Sequence, residues 1–171
     1  NFAFDVFVSG DYAYVASSHS PALEIIDISK PAQPKHKGAV TMGQGGAMLY
    51  IPRSVFVLGE YAYVASEASH SLEIFDVSNP ANPFRVGGIT DGIGGANLKG
   101  AVDVYVDCHY AYVTSFTSNA LEILDISNPA NPIHVASILD GDGGAKLINP
   151  TSVIVRGNYA YVASKGSHAL E

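Results

Sequence analysis

The segment Asp140-Gly-Asp142-Gly-Gly sets two carboxylates one residue apart among turn-forming glycines, the donor pattern of an oxygen-ligated calcium loop. Forty-nine residues earlier the same positions read Asp91-Gly-Ile93, and forty-nine before that Met42-Gly-Gln44. The carboxylates drift while G-x-G-G-A persists, as a tight turn requires. Asp140 and Asp142 therefore stand as the calcium candidates, against a turn reading that accounts for all three copies. Glu24, Glu73 and Glu122 recur in mid-strand, and Asp27, Asp76 and Asp125 recur three residues further on. That offset places Glu and Asp on opposite faces of a strand, so they cannot form a general acid/base pair. The Asp before Ser-x-Pro suits an Asx turn. A mid-strand Glu needs a partner, and a tyrosine hydroxyl or the backbone of a neighbouring unit would serve.

Other chemistry-bearing residues are scattered. His36 and His134 share one repeat position and His70 and His168 another; no H-x-H or H-x-x-x-H spacing supplies a zinc site. Cys108-His109 stands where the other units carry a glycine followed by Asp, Glu or Asn. Neighbours in a turn do not face each other, so the thiol lacks a base, and the exchange reads as a turn that has lost its glycine. Tryptophan is absent, and Asn149-Pro-Thr is no glycosylation sequon because of its proline. No catalytic residue and no cofactor beyond the calcium candidate is expected.

These residues sit on a repeat without slippage. YAYV begins at Tyr12, Tyr61, Tyr110 and Tyr159, and Leu-Glu follows at Leu23, Leu72, Leu121 and Leu170, every step being 49 residues. The 171 residues divide into units 1–49, 50–98 and 99–147 and a partial unit 148–171. Within a unit the period is two. In Val102-Asp-Val-Tyr-Val106 the valines share one face, opposite Asp103 and Tyr105. A two-residue turn such as Gly10-Asp11 fits a type II′ hairpin into YAYVAS. LEIIDI forms a third strand, stopped by the S-x-P-A-x-P segment. A fourth strand fits 85–90 and 134–139, and no helix is expected. Four antiparallel strands per unit make an all-β fold of propeller blades, about 3.5 of them in this chain. Large Tyr columns opposite small Ala, Val and Ser columns let adjacent blades interdigitate.

A second pattern overlies the first. Units one and three carry Ala3/Ala101 and Asp5/Asp103, whereas units two and four carry Pro52/Pro150 and Ser54/Ser152. The alternation suggests that two blades duplicated together, and an even-numbered ring or an open array preserves it.

With 9 basic against 16 acidic side chains the net charge is −7, so no phosphate-neutralising patch exists and no nucleic-acid partner is expected. Apolar residues are 47% and charged residues 15%, which excludes a disordered segment. No apolar run is long enough to cross a membrane as a helix. One cysteine allows no internal disulfide.

The motif V-x-G-x-YAYVAS followed by LEI-x-D-x-S-x-P resembles the LVIVD repeat, and AYVTSFTSNALEILDISN is similar to the related YVTN surface-layer repeat. The resemblance spans the whole chain. It implies a propeller on the cell surface of a bacterium or archaeon, and implies no particular activity. On that basis the chain is expected to be an excerpt of a longer extracellular repeat protein, which fits a first residue, Asn1, other than Met. The expected role is non-enzymatic: a scaffold or adhesion module binding a protein or cell-surface glycan through repeated loops. Asp91 and the turn after YAYVAS (Glu67, Phe116, Lys165) are the binding-surface candidates. Two alternatives remain open: a filament subunit self-associating through the edge strands of incomplete units, and the non-catalytic part of a propeller enzyme.

Overall fold

The tandem units form four separate antiparallel sheets in the computed structural model, which describes residues 2–171. The first contains β1 (Ala3–Ser9), β2 (Tyr12–Ser17), β3 (Ala22–Asp27) and β4 (Lys35–Thr41). The second contains β5 (Pro52–Leu58), β6 (Tyr61–Ser66), β7 (Ser71–Asp76) and β8 (Phe84–Thr90). The third contains β9 (Ala101–Asp107), β10 (Tyr110–Ser115), β11 (Ala120–Asp125) and β12 (Ile133–Leu139). The last holds β13 (Pro150–Arg156), β14 (Tyr159–Ser164) and the short β15 (Ala169–Leu170). Strands pair in sequence order within each sheet, and β1, β5, β9 and β13 lie against one another as the inner strands. The architecture is a run of propeller blades.

Packing between blades follows the Tyr/small-residue expectation. Tyr14, Ala16, Leu23, Ile25 and Val40 of the first blade enclose Val55, Val57, Ala62, Val64 and Phe75 of the second. Tyr63, Leu72, Ile74 and Ile89 repeat the arrangement around Val104, Val106, Ala111 and Leu124. The second blade buries both faces against its neighbours, as stacked repeats must. Phe7, Phe56 and Tyr105 form a tilted aromatic stair between inner strands, with centroids 4.7 and 5.0 Å apart.

Turn chemistry matches the sequence closely. Asp27 Oδ1 accepts from the Ser29 amide at 3.0 Å and its hydroxyl at 2.6 Å, and Asp76/Ser78 and Asp125/Ser127 repeat the motif. These bonds to the ionised form hold the Asp27 and Asp125 carboxyls below the ordinary range. The first hairpin residue has positive φ at Gly10, Gly59 and Gly157 (55°, 60° and 58°), and Cys108 keeps it at 51°. A side chain there costs about 1–2 kcal/mol in backbone strain, while glycine gives back part of that as unfolded-state entropy. Cys108 is exposed, so Cys108→Gly loses no packing. We expect a stability gain of roughly 0.5–1 kcal/mol in a urea melt. A lower midpoint would mean that the thiol contributes a contact worth more than the strain.

Two expectations are corrected. Single 3₁₀ turns occur at Gln44–Gly46, Ile93–Gly95 and Asp142–Gly144, each broken by a left-handed glycine, where no helical turn was expected. Strict alternation in the first strand also fails. The ladder pairs Ala101 with Ser115 and Asp103 with Thr114, skipping Val102 as a bulge. Val104 and Val106 are buried between blades, but Val102 leaves their face.

Candidate functional site

The bulge recurs in every blade and skips Phe4, Arg53, Val102 and Thr151. A bulged residue is unpaired in the ladder, and its side chain is re-aimed. All four line one open cavity of about 410 Å³, together with Glu67, Phe116 and Lys165, which follow the second strand on their blades. The cavity thus joins two positions per repeat, the fourth and the eighteenth. Arg53 stacks over the Phe4 ring, 4.0 Å from guanidinium carbon to centroid, and pairs with Glu67, tying the first blade to the second. Lys165 has no ion-pair partner among the described residues, so the charged lining is two basic groups and one acidic on a chain of net charge −7. Phe116 is half-buried on the wall.

Three of the four binding-surface candidates therefore converge, although they lie on three different blades. Asp91 does not join them. Its Oδ1 accepts from the Leu98 amide at 2.9 Å, and Asp140 Oδ1 does the same for Leu147 at 2.8 Å, bracing the Gly-rich loop across seven residues. Asp142 Oδ2 accepts from the Leu139 amide at 3.0 Å. Each carboxylate proposed for calcium is thus engaged by a backbone donor of its own loop. No group of three or more His, Cys, Asp or Glu that could hold a metal occurs among the described residues.

Phe4, Arg53, Val102 and Thr151 escape a period-two reading of the strand, because a bulge leaves no periodic signature. One signal did exist: the fourth and eighteenth repeat positions each hold four different residues in four units. Between them Tyr12-Ala-Tyr-Val15 and its copies are invariant.

The mid-strand glutamates serve structure. Glu73 is fully buried, accepts from Arg85 Nε at 2.6 Å and receives the Met48 amide of the preceding unit at 3.3 Å. Glu122, equally buried, pairs with His134 and receives the Asn97 amide of the preceding unit at 3.0 Å. Backbone of a neighbouring unit is a partner, as expected; the tyrosine hydroxyl is replaced by a basic side chain from the fourth strand. Exposed His36 occupies the equivalent place beside Glu24 at 2.8 Å, so one histidine column is a set of glutamate partners.

Burial pushes the Glu73 and Glu122 carboxyls above the ordinary glutamate range, against the opposing hydrogen bonds. A raised folded value means that the folded chain holds the proton more tightly than the unfolded one. The contribution is therefore complete below the ordinary value of about 4.3 and is lost as pH climbs through the folded value. In Glu122→Gln this site no longer titrates, so the fall in Tm from about pH 4 to 7 should shrink while Glu73 keeps its share. A Tm–pH profile parallel to wild type would rule out Glu122 as a source of that fall.

No helix among the described residues is long and apolar enough to cross a membrane. The chain matches no curated protein sequence. Among solved structures it is similar to a protein named as a "putative 6-phosphogluconolactonase" from Bacteroides uniformis ATCC 8492, with TM-score 0.78 and 17% identity over 98% of this chain and 49% of that one. It is also similar to the β-propeller domain of Cps50 (Swd1) from Myceliophteria thermophila, with TM-score 0.72 and 10% identity over 98% and 49%. A third similar structure is the computationally designed Ika8 protein, with TM-score 0.70 and 5% identity over 98% and 44%. The chain spans about half the length of these structures. At such identities the likeness shows the fold alone. The model of the LVIVD repeat matches residues 2–42, 52–91, 100–140 and 149–168. Blade by blade, then, the chain belongs to the LVIVD-repeat family.

Proposed function

We propose that this chain is a non-enzymatic interaction module of a bacterial or archaeal cell-surface protein, and that its ligand binds in the cavity between blades. The observation carrying the proposal is where the repeats differ. Both positions that line the cavity change in every unit, while the Tyr-Ala-Tyr-Val of the second strand between them is invariant. A scaffold role alone gives no reason for that contrast; a binding site built on rigid strands does. Phe4 and Phe116 offer aromatic faces to a sugar ring or an apolar side chain, and Lys165 offers a charge to an anionic group. The cavity contains no Asp, His or Cys, its one carboxylate, Glu67, is occupied by Arg53, and its hydroxyl, Thr151, donates to the Ala163 carbonyl at 3.2 Å, so Lys165 and Thr151 have no free general base among the lining residues.

The test is a glycan array and a panel of cell-surface proteins probed with wild type and with Phe116→Ala/Lys165→Ala. Binding by wild type that falls at least about tenfold in the double variant supports the proposal. Identical binding by both proteins would sink it. Hydrolysis of 6-phosphogluconolactone by the purified chain, the reaction named for one similar fold, would overturn the non-enzymatic reading. Cell fractionation with an antibody to the chain tests the surface location, and recovery in the cytoplasm alone refutes it.

A further inference from the structure

The alternation of Asp and Ser at the fifth repeat position is a hydrogen-bonded belt. Ser54 Oγ donates to Asp103 Oδ1 at 2.7 Å and lies 3.1 Å from Asp5 Oδ2, so the hydroxyl sits between carboxylates of both flanking blades. Asp5 Oδ2 also accepts from the Val55 amide at 2.9 Å, and Asp103 Oδ2 from the Val153 amide at 2.8 Å. Every acidic blade thus reaches forward to the backbone of the next, and the serine blade between them supplies the proton. Two acids at adjacent positions would face each other at about 3 Å in a half-buried belt, where like charges repel strongly.

The belt is incomplete on the first blade. Asp103 Oδ1 accepts two bonds, from its neighbouring Val104 amide at 3.0 Å and from Ser54 of the preceding blade. Asp5 Oδ1 accepts the equivalent Val6 amide at 2.8 Å but has no serine donor among the described residues. The same face is uncovered: Val6 and Val8 are 57% and 58% exposed. Their equivalents Val55, Val57, Val104, Val106, Val153 and Val155 are all 5% exposed or less, each set packed by the preceding blade.

We infer that this face of the first blade is an interaction surface whose partner is a further LVIVD blade carrying Ser, and not Asp, at its fifth position. The internal interfaces supply the chemistry of the partner. Its tyrosine and leucine columns cover Val6 and Val8 as Tyr14 and Leu23 cover Val55 and Val57, and its serine donates to Asp5 Oδ1. A ring closed on this rule holds an even number of blades, because an odd number brings two acids or two serines together.

The experiment extends the full chain by one unit, placing a copy of residues 50–98 ahead of residue 1 so that the 49-residue register continues. Three versions are compared by thermal melting at neutral pH: the native copy, one with Ser54→Asp and one with Ser54→Asn. The native and Asn versions, which both offer a neutral donor, should raise Tm by about 5 °C over the unextended chain. The Asp version should recover less than half of that gain. Equal gains for all three would overturn the charge rule, equal failure of Asp and Asn would assign the effect to side-chain size, and no gain from the native copy would overturn the surface itself.

Discussion

Phe75→Ala should lower stability by about 3–5 kcal/mol, a large share of the total for a domain of this size. Phe75 is the largest fully buried side chain among the described residues. It projects from β7 into the cluster that joins the first and second blades, among Tyr14, Leu23, Ile25 and Val57. Truncation removes apolar contacts from both blades, and a rigid sheet pair cannot collapse to fill the space. In stacked repeats stability resides in such nearest-neighbour interfaces. The urea midpoint should therefore drop, and the transition should broaden or split as the first blade melts ahead of the rest. Leu124→Ala, at the same repeat position one blade later, should cost somewhat less because fewer atoms are removed. A loss below about 1.5 kcal/mol at Phe75 would show that the interface relaxes, contrary to close packing.

Gly87→Val is the second large effect. Gly87 lies on β8 beneath the proline turn of the following blade, and a Cβ there would stand 2.4 Å from the Pro129 carbonyl oxygen and 2.8 Å from Ala130. These are backbone atoms, so no rotamer change relieves the overlap, and two blades must move apart. A cost of about 3 kcal/mol is expected from overpacking alone. Gly38 meets Pro80 in the same way, whereas the third unit has Ala136, which is exposed. Ala136→Val is the matched control and should shift Tm by no more than about 2 °C. Comparable losses at Gly87 and Ala136 would point to strand propensity, and away from the close approach.

The strands were legible because period-two alternation and the hairpin turns repeat four times, and the proline stops three times, with one spacing. D-x-S at 27–29 named its own turn, and the bonds formed are those its spacing allows. What the sequence hid was direction. Nothing in the types of Phe4, Arg53, Val102 and Thr151 announces a bulge, since the extra residue is defined only by the partner strand it fails to pair with. The candidates of the eighteenth position were found, yet their gathering into one cavity required knowing that first strands lie innermost. Asp91 is exposed, as an acid beside glycines suggests, but that its carboxylate also braces the loop by accepting from Leu98, seven residues on, has no local signature. The glutamates pointed to a neighbour, but Arg85 and His134, twelve residues downstream, lie outside any local motif.

The buried glutamates also bear on the order in which the chain assembles. Glu73 holds the Met48 amide and Glu122 the Asn97 amide, so the loops closing the first and second units are each fastened by the third strand of the next. A nascent chain leaving the ribosome presents each loop well before the carboxylate that anchors it. The first and second blades are thus finished one unit late, each keeping a loose end until the third strand of the next is made. During synthesis these carboxylates would act as latches closed in the order in which the chain is made.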